Sequence, residues 1–340
     1  MTAEDADHEF RVAPGSRFIV DTYSRVDLPP ITVLRAADGR VLRTLETGDA
    51  SALLATGYRP PEPIMVKARD GVTDLYGAIW KPNAFDATKR YPVIDNIYPG
   101  PQSTTTPRGF VPSNTAKFQY SQYSQAKALA ELGFIVVNID AMGTSDRSKA
   151  FRETWYGNMG DAGLPDHIAG LKQLASTRPF MDLGRVGIYG VSGGGYASAA
   201  ALLRYPDFFR VAVSTAGNHD NRSFNMHWLE KYTGLLTRDT IGKTDNFANQ
   251  ANVNLVANLR GKLFLMHGDM DDNVSPANTL RLADALIKAG KTFDMLIVPD
   301  ANHRMYLLPY VHRVQWDYFV RHLRHEEPPA DYIVGGPPPP

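Results

Sequence analysis

The chain has 340 residues, 43% hydrophobic and 21% charged, with 36 basic and 36 acidic side chains. This length suits one large α/β domain plus a small extra piece, and the balanced charge excludes the basic surface that a nucleic-acid or anionic-membrane partner needs. Cysteine is absent, which removes disulfides, thiolate zinc sites and cysteine nucleophiles. The acidic, polar start lacks the basic and apolar regions of a signal peptide. A cytoplasmic location is therefore the default expectation, and a periplasmic or secreted one if the chain is a fragment. No apolar run approaches the ~20 residues of a membrane span.

In chain order, residues 1–60 read as short strands at 18–22, 31–35 and 41–45, with Asp38-Gly39 as a hairpin turn signal between the last two. So small a unit buries little apolar area and must dock on something. The stretch Arg59-Pro60-Pro61-Glu62-Pro63 marks a boundary. From residue 61 to 326 the pattern changes. Apolar runs at 75–80, 93–98, 134–140, 186–191, 211–214, 263–267 and 293–298 alternate with helix-like stretches at 124–132, 166–174, 195–204, 277–289 and 314–323. Such alternation predicts a mostly parallel sheet with helices on both faces. Ligands of such sheets sit at the carboxyl ends of the strands. Residues 327–340 form a Pro/Gly-rich tail without a globular pattern.

The run at 186–191 leads directly into Gly190-Val191-Ser192-Gly193-Gly194, a G-x-S-x-G pattern followed by a small-residue helix. That context, strand then turn then helix, is what the motif requires. The turn holds the serine in a strained conformation, so its neighbours two positions away must lack side chains. It also lifts the hydroxyl to a helix N-terminus, where the Gly193 N–H can donate to a developing oxyanion. A Walker phosphate loop would need Lys-Ser/Thr after its last glycine, and none follows.

Serine needs a base matched to neutral pH, and histidine supplies it. In the α/β-hydrolase fold the chain order is Ser, Asp/Glu, His. Two later strand ends fit. One carries His267-Gly268-Asp269-Met270-Asp271-Asp272-Asn273-Val274, and the other ends in Pro299-Asp300-Ala301-Asn302-His303. His303 is the one histidine that follows both the acidic loop and a strand directly, which makes it the candidate base. His267 reads as structural beneath the acidic loop, and His219 and His227 fall near the expected pocket. Spacing leaves Asp269, Asp271 and Asp272 in competition as the acid that orients the base.

With these segments in hand, the chain resembles the catalytic domain of the prolyl oligopeptidase family of serine peptidases, in particular its dipeptidyl-peptidase IV branch. The pieces that carry the resemblance are Ile97-Tyr98-Pro99-Gly100-Pro101, residues 190–196, the His267 to Val274 segment and the Pro299 to His303 segment. The resemblance implies an α/β-hydrolase fold over residues 61–326, preceded by a short β-rich segment, residues 1–60, like the end of a β-propeller. It implies Asp271 as the triad acid and Asp272 as structural. It also implies the Tyr98 hydroxyl as second oxyanion donor beside Gly193, and Asn273 as a group that binds a substrate carbonyl. Phe224, Trp228 and Tyr232 recur every four residues, so they are expected on one helix face. By the resemblance, Phe224 and Trp228 wall a pocket for Pro or Ala at P1; the alternative is an aromatic core stripe. Two departures stand out: relatives usually carry tyrosine at the position of Gly193, and a long propeller precedes their hydrolase domain. The chain is thus a fragment, a truncated product or a short member.

The leading expectation is a serine peptidase acting on short peptides through an acyl-enzyme on Ser192. A carboxylesterase with the same residues and an inactive docking module are the alternatives. The expected partner is a peptide or small ester substrate; no nucleic acid, membrane, metal or cofactor is expected, and a homo-oligomer is compatible with the sequence. No H-E-x-x-H pattern occurs.

Overall fold

The structure, a computed structural model, describes residues 2–110, 118–238, 244–330 and 332–334. Much of the predicted tail, residues 331 and 335–340, lies outside them.

The N-terminal strands β1 (Asp7–Val12), β2 (Phe18–Arg25), β3 (Leu28–Ala36) and β4 (Val41–Thr47) form an antiparallel sheet in sequence order. Three of the four match the predicted runs. Strand β1 was not predicted, because its sequence is polar and nearly every residue faces solvent. A short helix α1 (Ser51–Ala55) follows. The interior of this sheet is partly ionic: Asp21 and Arg35 are buried and paired at 2.7 Å, and the His8 Nδ1 reaches Asp21 at 3.0 Å.

The remaining strands are β5 (Glu62–Lys67), β6 (Asp74–Trp80), β7 (Tyr91–Asn96), β8 (Ile135–Asp140), β9 (Met181–Val191), β10 (Val211–Thr215), β11 (Lys262–Gly268) and β12 (Asp294–Val298). They form one sheet in the order β12-β11-β10-β9-β7-β8-β6-β5. The pairs from β8 through β12 are parallel; β5–β6 and β6–β8 are antiparallel. Strand β5 starts inside the Pro-rich stretch read as a boundary. Proline is tolerated there because β5 is an edge strand, where half the ladder is unpaired.

The central strands are buried along their whole length, which is why they read as continuous apolar runs. Their side chains alternate between two cores. Ile135, Val137, Ile188, Leu263 and Leu265 join one; Val136, Tyr189, Phe264 and Met266 join the other. Helices α4 (Leu164–Thr177), α5 (Gly193–Arg204) and α7 (Ala277–Lys288) cover the first face. Helices α2 (Phe118–Glu131) and α8 (Pro309–Phe319) cover the second. The short α3 (Lys149–Glu153) and α6 (Met226–Thr233) lie in the connections. This is the α/β-hydrolase fold, with the elbow at the β9–α5 junction.

Candidate active site

Ser192 sits between β9 and α5 with φ 59° and ψ −119°, a sparsely populated backbone region that costs about 1–3 kcal/mol. Its N–H donates to Thr215 O at 2.8 Å, which ties the turn to the end of β10. A serine at a helix N-cap commonly gives its oxygen to the first N–H groups, but Ser192 makes no such cap bond. The hydroxyl is instead hydrogen-bonded to Tyr98. The neighbouring glycines permit this turn. A Cβ on Gly190 would lie 2.4 Å from Ile97 O, and one on Gly194 would lie 2.3 Å from the same atom.

Tyr98 follows β7, the strand beside β9, and its hydroxyl is hydrogen-bonded to Gln102 as well as Ser192. Burial raises the phenol pKa, so the group stays protonated and able to donate. Gln102 is anchored in turn by donating to Pro99 O at 3.1 Å. Sequence reasoning missed Gln102: a loop glutamine carries no periodic or motif signal. Gly193 is the first residue of α5, where an N–H has no intrahelical acceptor. Gly193 in α5 and the Tyr98 hydroxyl after β7 are thus the neighbours of the Ser192 side chain from two different elements.

Asp271 and His303 come from the other side of β9, after β11 and β12. The His303 Nδ1–H donates to Asp271 Oδ2 at 2.7 Å, which leaves Nε2 as the acceptor nitrogen. The three competing carboxylates are now separated: Asp269 and Asp272 face solvent, whereas Asp271 is buried. Its other oxygen accepts from the Asn273 and Val274 N–H groups, each at 2.9 Å. Burial opposes ionisation of Asp271, but hydrogen bonds from His267, His303 and Val274 outweigh it and hold the carboxyl well below the usual range.

His267 supports this loop from below, as expected. Its Nε2 reaches Val274 O at 2.8 Å and Asp271 Oδ2 at 3.1 Å. Both partners only accept, so Nε2 carries the proton, and Thr279 donates to Nδ1 at 2.7 Å. Gly268 decides how closely the acidic and histidine loops approach. A Cβ there would stand 2.1 Å from Ala301 O, and Met270 N donates to that same carbonyl at 3.1 Å.

Two expectations need correction. Phe224 is not on the same helix as Trp228 and Tyr232. It is extended, with φ −107° and ψ 178°, after a single turn at Asn221–Ser223, and α6 begins only at Met226. The three rings still contact in series, at 5.7 and 5.0 Å between centroids. All three are half-buried and packed against the core. His219 is not a pocket residue. It is fully buried, 3.2 Å from Asn252 Nδ2 and 3.4 Å from Ser214 Oγ, and burial pushes its pKa down to about 3. His227 is exposed on α6, and Asn273 is exposed on the acidic loop. Among the described residues no group of three or more His, Cys, Asp or Glu is placed to hold a metal ion, and no helix is long and apolar enough to cross a membrane.

Two kinds of known protein and one family bear on this arrangement. Dipeptidyl peptidase 8 of Homo sapiens and that of Mus musculus are each 34% identical over 254 residues, covering 72% of this chain and 26% of theirs. The crystal structure of Porphyromonas gingivalis dipeptidyl peptidase 4 superposes with a TM-score of 0.79 at 26% identity, covering 94% of this chain and 44% of that one. The chain therefore spans about a quarter of the length of these curated relatives. A model of the prolyl oligopeptidase family matches residues 119–326. That match takes in Ser192, Asp271 and His303 and extends over more than half of the sequence: the chain belongs to the prolyl oligopeptidase family.

Proposed function

We propose that the chain is a serine peptidase that acts on short peptides, with Ser192 as nucleophile, His303 as base and Asp271 as the acid that orients His303. What supports this reading is that two hydrogen-bonded pairs, Tyr98–Ser192 after β7 and β9 and Asp271–His303 after β11 and β12, lie along the carboxyl edge of one sheet. His303 Nε2 takes the Ser192 hydroxyl proton as Oγ attacks the peptide carbonyl carbon. The oxyanion that forms is held by the Gly193 N–H and the Tyr98 hydroxyl, a kind of donor worth about 2.7–4 kcal/mol of barrier. His303 then passes the proton to the leaving amine as the C–N bond breaks. Water repeats the sequence on the acyl-enzyme and restores Ser192. Asn273 at the rim holds a substrate carbonyl, and Phe224 and Trp228 wall the P1 pocket, with Pro or Ala the residues that the family resemblance implies. Residues 61–326 form the catalytic unit, and residues 1–60 are the end of a propeller-like segment joined to it.

The test is labelling with a fluorophosphonate, followed by rates on an Ala-Pro anilide and a short-chain ester. Ser192→Ala is expected to lose all labelling with little change in melting temperature. Labelling that persists in the variant would overturn the assignment. Cleavage of the ester without the anilide would favour a carboxylesterase over a peptidase.

A further inference from the structure

The segment that carries Tyr98 leaves β7 after Asn96 and returns to the end of β8 at Thr105 and Thr106. Inside this loop the contacts are local: Gln102, hydrogen-bonded to Tyr98, donates to Pro99 O. Such bonds hold the shape of the loop but move with it. Its ties to the sheet lie at the two ends. At the entry, Ile97 N donates to Tyr189 O at 3.0 Å. At the return, Thr105 N donates to Asp140 Oδ1 at 2.8 Å. The side chain of Asn138 bonds both ends at once. Its Nδ2 donates to Asn96 O at 3.0 Å and to Thr105 Oγ1 at 2.8 Å, and its Oδ1 accepts from the Thr106 hydroxyl at 3.1 Å.

Asn138 lies in β8 between Val137 and Ile139 and is in register with Asn96 of β7. Asn138, Asn96 and Thr105 are all buried. Burying an amide is unfavourable unless its donors and acceptor find partners, and here both N–H groups and the carbonyl do. A buried parallel strand is ordinarily apolar on both faces. The amide is therefore a departure from what β8 itself needs, and its three bonds all go to the two ends of the Tyr98 loop. We propose that Asn138 is a positioning residue for catalysis: by joining Asn96 to Thr105 and Thr106 it fixes the loop between them, and so holds the Tyr98 hydroxyl at Ser192. The inference rests on the reading of Ser192 as nucleophile and of Tyr98 as oxyanion donor.

The experiment measures kcat and KM for wild type, Asn138→Leu, Tyr98→Phe and the double variant, on whichever of the anilide and the ester wild type cleaves. Leucine keeps the volume of Asn138 and removes all three bonds. Asn138→Leu is expected to lower kcat by about 10- to 100-fold, the scale of a reacting group displaced by about 1 Å, with KM changed by less than about twofold. Where Tyr98 is already Phe, the same substitution should lower kcat by about twofold or less, because the hydroxyl that it places is gone. A merely structural role would give the same loss in both backgrounds, and that result would overturn the proposal. So would an unaltered kcat in a folded Asn138→Leu. If the leucine variant does not fold, Thr105→Val removes one of the same bonds from the other partner. Its loss of kcat must then depend on Tyr98 in the same way; an equal loss in both backgrounds, or none, counts against the proposal. Wild type that labels with fluorophosphonate but keeps its rate in Tyr98→Phe would end this inference and leave Ser192 standing. Wild type that does not label at all would sink the nucleophile reading, and this inference with it.

Discussion

The N-terminal sheet and the large sheet each bury an aspartate that faces a histidine Nδ1. In the small sheet Asp21 meets His8 at 3.0 Å and also binds Arg35 at 2.7 Å. In the large sheet Asp271 meets His303 at 2.7 Å and also accepts from His267. The chemistry of the two pairs is alike, but their positions are not. The first is internal to an antiparallel sheet, where it fills a core whose buried apolar members include Val26 and Val33. The second sits at the carboxyl end of a parallel sheet, two strands from a strained serine. A buried Asp–His pair is thus no active site by itself. It becomes a candidate where the topology brings it to the same sheet edge as a strained serine that is hydrogen-bonded to a tyrosine.

The largest effect that would sharpen this contrast is on rate. Asp271→Asn should lower kcat by about 10⁴-fold, because the amide favours the wrong tautomer of His303. Asp21→Asn should leave kcat unaltered while lowering the melting temperature. Single-turnover rates on an activated ester would read both. Equal losses from the two variants would erase the distinction.

A third pair tests stability alone. Asp95 on β7 and His167 on α4 are buried beneath the sheet, 2.9 Å apart. Asp95→Ala leaves a buried histidine without its partner, so urea unfolding should show a loss of about 3–5 kcal/mol. A loss no larger than that of a surface substitution would mean that the pair is an incidental contact.

The smallest effect concerns His219, a buried histidine with no carboxylate partner among the described residues. Burial, helped by His267, holds its pKa down at about 3, against about 6.5 in an unfolded chain. Between these values the unfolded chain binds a proton that the folded chain refuses. The stability is therefore complete above pH 6.5 and declines as the pH falls, by about 2 kcal/mol at pH 5. His167 has the opposite sign: Asp95 overcomes burial and raises its pKa, so its contribution is complete below pH 6.5 and is lost as the pH rises through the raised value. Unfolding free energies of His219→Gln between pH 5 and 7 should show a shallower slope than wild type. An identical slope would remove His219 from the account.

Much of this was legible from residues in order. Strands β6 to β11 were found because most of their residues are buried, which makes them read as apolar runs; the edge strand β12 was found from the apolar residues Met295 to Val298 although it is only half-buried. Strands β1 and β5 were missed for the converse reason: each is an edge strand, with polar or proline residues exposed on one side. Phe224 was misplaced because a spacing of four residues fits a helix, and nothing local announces that the chain is extended there until Asn225 caps α6. His219 follows a strand, as a catalytic residue would. It turns inward because Gly217 leaves room for its ring, 2.6 Å from where a Cβ would be.

The sequence by itself determined the tight turn that presents Ser192, since a strand, a G-x-S-x-G turn and a small-residue helix are consecutive and their geometry is local. It also determined the class of fold, because the periodicity of burial is written along each strand. Only the tertiary structure showed that Asp271, which the family resemblance singled out among three aspartates, is buried against His303, and that His219 lies in the core. Each of these depends on which distant loops touch, as Gly268 and Ala301 do. Packing between segments far apart in sequence leaves no periodic trace in either one.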